Sequence, residues 1–126
     1  MKIFSIAAFG FFVVSITAVA APAPKPPKST PQLIEKGTAA YKANCEVCHG
    51  PAGDGMGPAG QALNPKPRNF TEPFKAGKKP EQVFKTISEG LPNTAMVGFA
   101  QIPEEDRWGL VYYVLSFDKA AAKKKK

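Results

Sequence analysis

The chain of 126 residues contains two cysteines and one histidine, and they fall together as Cys45-Glu46-Val47-Cys48-His49. This C-x-x-C-H pattern is the attachment signature of a c-type haem. Two thiols three residues apart can add to the two vinyl groups on one side of a porphyrin, and the adjacent His49 can give the iron its proximal nitrogen. The pattern therefore predicts one covalently bound haem c, held by Cys45 and Cys48 and ligated by His49.

The composition indicates why such a group would matter to the fold. The chain has 13 prolines and 11 glycines, well above average usage, so much of it is predicted to be loop. Aromatic residues at 10% are too many for a disordered chain. A domain of about 100 residues with this much loop needs disulfides, a metal or a large cofactor to be stable.

A redox-active disulfide and a zinc site are the alternative interpretations of the cysteine pair. A redox C-x-x-C usually lies in a βαβ context, and no such pattern is present. Zinc takes four ligands, and the chain has no cysteine or histidine beyond Cys45, Cys48 and His49. Both alternatives are therefore weaker than haem attachment.

The N-terminal residues predict an export signal. Residues 3–20 are uncharged and apolar, follow Lys2 and end in Ala18-Val19-Ala20, which is typical of a secretory signal cleaved after Ala20. The apolar run also reaches the lower length limit of a membrane-spanning helix, so a retained inner-membrane anchor is the alternative. In either case we expect the domain to lie in the periplasm, where covalent haem attachment can occur.

The excess of positive charge lies at the ends of the chain. The formal net charge is +7, but residues 29–118 carry nine basic and ten acidic side chains. A folded nucleic-acid-binding face is therefore not expected, because it needs basic residues clustered on the domain itself. Residues 21–30 are proline-rich and predict a solvated linker, 31–118 the folded domain, and 119–126 a frayed basic tail.

Helical periodicity with start and stop signals predicts three short helices, over 31–44, 80–89 and 103–117. Thr30 and Pro31 suit the N-cap and first position of the first helix, and Gly90 suits the stop of the second. The apolar stripe of the last helix comprises Trp108, Val111, Tyr112 and Leu115. Two long loops, 50–71 and 91–102, join the helices, and loops of this length are usually functional or organised by a ligand.

The second axial ligand of the iron has to come from elsewhere in the chain. Beyond the export segment there are two methionines, Met56 and Met96. Met56 follows His49 by only seven residues, too few to reach the opposite face of the ring easily. Met96 lies in the second long loop, beyond a helix, and is the predicted ligand; the alternative role is a core gap-filler. A thioether ligand would favour the ferrous state and raise the reduction potential.

With these features the chain resembles the small monohaem class I cytochromes c. The resemblance covers 32–117 and rests on the helix before CEVCHG, the loop GPAGDGMGP, the stretch LNPKPRNF, the loop GLPNTAM and the aromatic last helix. It implies an all-α class I cytochrome c fold, with three main short helices and long loops wrapped around one covalent haem. It also implies a monomer that exchanges electrons with redox partner proteins.

The resemblance also implies roles for two loop residues. The family's proline carbonyl, which accepts the other ring N–H of the ligand histidine, corresponds to Pro58; this bond would fix the tautomer of His49. Arg68 occupies a position that often faces a haem propionate, and a surface loop arginine is an equal alternative.

The resemblance further predicts how the helices meet and what surrounds the haem. In the family the first and last helices cross at a glycine–aromatic contact, which corresponds to Gly37 and Tyr41 against Trp108 and Tyr112. Many relatives have proline after the ligand methionine, whereas Val97 follows here, which predicts a more mobile ligand loop. The apolar crevice is expected to be lined by Leu63, Phe70, Phe84, Ile87, Leu91 and Phe99.

We therefore expect a one-electron carrier of a respiratory or photosynthetic chain, not an enzyme, since no paired carboxylates point to acid–base chemistry. A haem peroxidase-type enzyme is the first alternative, and it would need an open sixth position on the iron. The second alternative is a haem subunit of a larger oxidoreductase complex, tethered to the membrane through residues 3–20.

Overall fold

The computed structural model describes residues 24–74 and 79–118. The predicted export segment, 1–20, and the basic tail, 119–126, lie outside the described residues. The described residues contain no strand, and their helices are α1 (Pro31–Asn44), α2 (Glu46–His49), α3 (Pro80–Glu89) and α4 (Glu104–Ser116), with one 3₁₀ turn at Gly60–Ala62. The predicted all-α fold is confirmed. None of the described helices is long and apolar enough to cross a membrane.

Local capping sets the ends of the first and third helices. The Thr30 hydroxyl accepts a hydrogen bond from Leu33 N at 3.2 Å, which satisfies one of the free amides at the start of α1. α3 ends at Gly90, whose φ of 79° lets the chain leave the helix while its N–H still bonds to the Thr86 carbonyl. Both helices have the bounds that the sequence predicted, and α4 is shorter by one residue at each end.

α1 and α4 cross with backbone against backbone. A Cβ atom added to Gly37 would lie 2.5 Å from Leu110 N and closer still to the Gly109 carbonyl. A Cβ atom added to Gly109 would lie 2.7 Å from Gly37 N. The predicted glycine on α1 is therefore at the crossing, and the backbone nearest to it is that of a second glycine, on α4.

The aromatic residues that border this crossing differ from the predicted ones. Tyr41 is fully buried and packs on Tyr113 and Phe117, with ring centroids 5.1 Å and 5.6 Å apart. Trp108 turns to the other side of α4 and stacks on Phe84 of α3 at 4.2 Å. The expected packing of Tyr41 against Trp108 and Tyr112 is therefore wrong, because α4 lies between two helices and shares its aromatic residues between them.

The same position explains the wide buried face of α4. Its buried residues are Trp108, Gly109, Leu110, Val111 and Val114. Tyr112 and Leu115, which the sequence placed on the buried stripe, are only half-buried. Because α4 contacts α1 on one side and α3 on the other, its buried surface is wider than one stripe. The predicted apolar stripe therefore left out Gly109 and Leu110, which are buried.

The proline-rich segment before α1 contacts the domain. The Tyr112 hydroxyl donates a hydrogen bond to the Pro27 carbonyl, 85 residues away in the chain. Pro26 is half-buried, while Lys25 and Lys28 are exposed. The described part of the predicted solvated linker thus contacts α4 at Tyr112, and its lysines remain in solvent.

Candidate functional site

The C-x-x-C-H motif forms a turn directly after α1. Cys45 N bonds to the Tyr41 carbonyl at 2.8 Å and so still belongs to the hydrogen-bond pattern of α1. The Cys45 carbonyl then accepts hydrogen bonds from the backbone N–H groups of Cys48, at an N···O distance of 3.1 Å, and of His49, at 2.8 Å. Both cysteines are free thiols and half-buried. The fold thereby holds two thiols and an imidazole on consecutive residues of one turn.

The end of the motif is tied to the buried face of α1. The Tyr41 hydroxyl donates a buried hydrogen bond to the Gly50 carbonyl at 2.7 Å. Burial raises the pKa of Tyr41 above its ordinary value of 10.0, so the hydroxyl keeps its proton and remains a donor. Gly50 has φ of 77°, which turns the chain away from the motif. The side chain of a core residue therefore fixes where the motif ends.

The first long loop packs on the backbone of the motif. Gly55 N bonds to the His49 carbonyl at 2.9 Å, and Ala59 N bonds to the Val47 carbonyl at 3.0 Å. A Cβ atom added to Gly57 would lie 2.5 Å from Val47 O, and one added to Gly60 would overlap the Cys48 carbonyl. Gly57 and Gly60, which the sequence indicated only as loop-forming residues, thus allow the loop backbone to lie directly against the motif backbone.

His49 is held by a carbonyl and an aromatic ring. Its Nδ1 lies 3.3 Å from the Arg68 carbonyl, and its ring stacks on Phe70 with centroids 4.5 Å apart. Burial lowers the pKa of His49 below its ordinary value of 6.5, and the Arg68 carbonyl offsets part of this effect. The imidazole is therefore neutral at neutral pH. With the proton on Nδ1, facing the carbonyl, Nε2 is the nitrogen left to bind a metal.

The carbonyl beside His49 is not the predicted one. Pro58 is exposed, and among the described residues the His49 ring bonds to the carbonyl of Arg68. The carbonyl that faces the His49 ring in the structure is therefore that of Arg68, and the role of Pro58 beside a bound haem stays a prediction. The loop from Gly57 to Gly60 packs on the motif backbone instead, and this places Pro58 in solvent.

The side chain of Arg68 remains within its own loop. Its Nη2 donates to the Pro73 carbonyl at 2.9 Å, and its guanidinium lies 4.6 Å from the centre of the Phe74 ring. Phe74 N in turn donates to the buried carboxylate of Asp118 at 3.2 Å. These contacts fix the segment that supplies the His49 carbonyl. The contact of Arg68 with a haem propionate stays a prediction.

The two thiols share a protected environment. Burial raises the pKa of the Cys45 thiol to about 11, and the neighbouring Cys48 adds to the shift. Cys45 is therefore protonated at neutral pH. Among the residues of the described ranges, no group of three or more histidine, cysteine and acidic side chains could hold a metal ion, so a zinc donor set is not assembled there.

The two methionines differ in their surroundings. Met56 is 56% exposed at the tip of the first loop, whereas Met96 is half-buried in the second. Leu91 N donates to the Met96 carbonyl at 3.0 Å, and Met96 N donates to the Thr94 hydroxyl at 3.1 Å. Gly90 allows a close approach, since a Cβ atom there would lie 2.6 Å from Met96 O. Ligation by Met96 stays a prediction, supported by a backbone that is held on both sides.

The predicted crevice residues divide into two groups. Phe70, Phe84 and Ile87 are buried in the main core, while Leu63 and Phe99 are half-buried and Leu91 is 45% exposed. The large apolar side chains that are exposed in the described residues are Val47, Met56, Leu91 and Val97. All four lie in the motif or the two long loops, beside the residues predicted to hold the haem. The two thiols, the imidazole and the apolar residues of the predicted crevice fit a covalently bound haem.

Comparison with known proteins identifies the family. The family model described as "Cytochrome C oxidase, cbb3-type, subunit III" matches residues 32–114, which is more than half of the chain. The chain belongs to this cytochrome c family. It is thus a small class I c-type cytochrome, as the motif and the helices predicted, and its family implies haem c and a role in electron transfer.

A solved structure supports the assignment. A chain of the reducing HAO-like protein complex of Kuenenia stuttgartiensis is 32% identical to this cytochrome, with a TM-score of 0.70. The match covers 79% of this chain and 50% of the other, so the cytochrome corresponds to half the length of its relative. No curated protein matches the chain in sequence.

Proposed function

We propose that this cytochrome is a periplasmic one-electron carrier with a single covalent haem c, ligated by His49 and Met96. The observation that carries the proposal is the motif turn, which presents two half-buried thiols beside an imidazole whose Nδ1 lies 3.3 Å from the Arg68 carbonyl, an arrangement that leaves Nε2 as the nitrogen to bind a metal. When bound, haem supplies an iron that accepts and releases one electron. The family match to a cytochrome c domain supports this role.

Four residues of the chain would hold the haem, each in a different way or from a different element. Cys45 and Cys48 would bind it covalently, and their place at the end of α1 would join it to the helix core. His49 would provide Nε2, oriented by the Arg68 carbonyl and the Phe70 ring. Met96 would provide its sulfur from the second loop. None of these groups has to gain or lose a proton in each cycle, which suits fast electron exchange.

Apolar side chains would make the contact with a redox partner. Val47 and Val97 are 53% and 65% exposed and lie in the motif and in the loop of Met96. Partners in electron transfer form small and weak contacts, so a short-lived encounter over such residues is sufficient. The partners are expected to be redox proteins, and the uneven charge of the chain gives no support for nucleic acid as a partner.

A haem subunit of a larger oxidoreductase complex is the second candidate function. It is favoured by the likeness to part of a longer chain from a reducing HAO-like protein complex, and by a family description that names a subunit. The N-terminal residue and mass of the purified protein distinguish the two. A chain beginning at Ala21 and eluting as a monomer supports a free carrier, whereas an intact Met1 or co-purifying subunits support the complex.

The decisive test is a matched pair of methionine variants. The ferric protein should show the weak red charge-transfer band of methionine-ligated haem. Met96→Ala should abolish this band and lower the reduction potential, because the ferrous iron loses its soft thioether donor. Met56→Ala should leave both unchanged, since its side chain is mostly in solvent. If Met56 proves necessary instead, or if the native protein binds carbon monoxide rapidly, the ligand assignment fails and a peroxidase-type enzyme becomes the better interpretation.

A further inference from the structure

We propose that Arg107 is a positioning residue that clamps both ends of the loop carrying Met96. This loop, Leu91–Ile102, is called the methionine loop below. The inference rests on the proposed function for the identity of the ligand, but it concerns what holds that ligand in place. Arg107 lies in the first turns of α4 and has no part in the C-x-x-C-H motif.

A single guanidinium reaches the two ends of the methionine loop. Arg107 Nε donates to the carbonyl of Ile102, the last residue of the loop, at 3.0 Å. Arg107 Nη1 donates to the Ser88 hydroxyl, which lies in the last turn of α3 just before the loop begins. Ser88 uses its own proton to bond the Phe84 carbonyl at 2.8 Å. The chain entering the loop and the chain leaving it are thus joined through one side chain.

The core holds this guanidinium in its orientation. It lies 4.8 Å from the centre of the Phe84 ring, and that ring is 96% buried and stacked on Trp108. These partners of the Arg107 guanidinium are all uncharged: the Ile102 carbonyl, the Ser88 hydroxyl and the face of the Phe84 ring. Two bonds from a planar fork and stacking on a ring are features that arginine provides and lysine does not.

The methionine loop needs such a clamp because its sequence does not stiffen the part that follows Met96. Val97 and Gly98 follow Met96, where a proline would have restricted the backbone. Leu91 N bonds to the Met96 carbonyl within the loop, and Phe99 N bonds to the Ile87 carbonyl of α3 at 2.9 Å. These backbone bonds shape the loop and tie Phe99 to α3, and Arg107 adds a side-chain link between Ser88, before the loop, and Ile102 at its end. Releasing the ends would let the loop swing away and would weaken the competition of Met96 against other ligands.

The test measures how easily an added ligand displaces the methionine. Purified ferric holoprotein is titrated with imidazole, and the loss of the red charge-transfer band is followed. Arg107→Lys keeps the charge and most of the stem but loses the fork, and we expect imidazole to bind about tenfold more tightly. Ser88→Ala removes one of the two bonds and should give a smaller increase of about threefold. The double variant should match Arg107→Lys, because both changes break the same bond.

Controls separate a clamp from a general loss of stability. Lys85→Gln changes an exposed side chain of α3 that pairs with Glu89, and it should leave imidazole affinity unchanged. The free energy of unfolding is measured for each variant in denaturant. The clamp is disproved if the increase in imidazole affinity is proportional to the loss in free energy of unfolding across all variants. It is also disproved if neither Arg107→Lys nor Ser88→Ala changes the imidazole affinity. A native ferric protein without the red band would instead disprove the proposed methionine ligation. If Arg107→Lys does not fold, Ser88→Ala alone decides.

Discussion

Where α1 crosses α4, glycine backbone lies on glycine backbone, and the surrounding residues Leu33, Leu110 and Val111 are at most 6% exposed. The two long loops are different. They are positioned by backbone hydrogen bonds and glycine contacts, and they leave Leu91 at 45% and Val97 at 65% exposure. The helix crossing is therefore closed by its own packing, whereas the loops have a defined backbone but too little apolar burial to be stable alone.

Removing the covalent attachment should have the largest effect, and it should fall on the loops. In the double variant Cys45→Ser/Cys48→Ser we expect acid acetone to extract any haem and the cooperative thermal transition to be lost. Amide hydrogen exchange should show fast exchange over 50–70 and 91–102, with slower exchange remaining in α1 and α4. Loops that stay protected in this variant, with a cooperative melt, would show that they are self-sufficient and would overturn the comparison.

The next largest effect should come from a methyl group at the crossing. In an exposed helix interior, glycine to alanine stabilises by about 1 kcal/mol. In Gly37→Ala the new methyl meets the backbone of Gly109, which cannot turn aside. We therefore expect the opposite sign and a loss of about 3 kcal/mol or more in the free energy of unfolding, measured in guanidinium chloride.

The control for this change lies on the same helix. Ala39 is exposed on α1, and Ala39→Gly should cost only about 1 kcal/mol through helix propensity. If Gly37→Ala is neutral or stabilising, the helices do not cross as closely as the structure has them.

The smallest effect should come from the ion pair that bridges the same two helices. Lys36 and Glu105 are 2.7 Å apart, but their side chains are 48% and 64% exposed. We expect Lys36→Gln to leave the melting temperature unchanged within error, since exposed pairs contribute little. A marked drop would mean that charge as well as packing holds the crossing.

The pH dependence of that pair gives an independent check. The hydrogen bond to Glu105 raises the pKa of Lys36 above its ordinary value of 10.5. The contribution of the pair is therefore fully present below pH 10.5 and is lost only as the pH rises through the raised pKa. The difference in melting temperature between the native protein and Lys36→Gln should therefore stay constant between pH 6 and pH 9, about the range in which Lys36 titrates in neither the folded nor the unfolded chain.

The sequence predicted those parts of the fold that depend on local signals. The bounds of α1 follow from Thr30 and Pro31, and the end of α3 follows from Gly90, because caps act within a few residues. The cysteine pair with His49 likewise lies within one turn. The family and the all-α fold could therefore be inferred before the structure.

Contacts between distant backbone atoms could not be predicted in the same way. The Arg68 carbonyl that faces His49 and the Pro27 carbonyl that faces Tyr112 are groups present in every residue, so residue type gives no signal for them. Gly109 did carry a signal, since a glycine in the middle of an apolar helix indicates close approach, just as Gly37 does. The two clamping bonds of Arg107 depend on tertiary structure that joins α3 to α4.

The crossing of Gly37 and Gly109 also limits how the chain can vary. A side chain at either position meets peptide groups of the other helix, so no second substitution that shortens a side chain could make room for it. Room for such a side chain could be made only by moving the two helices apart, and this movement would expose both Leu33 and Leu110 to solvent. The two glycines are therefore expected to change only together, whereas the exposed residues Val47 and Val97 are under no such packing constraint.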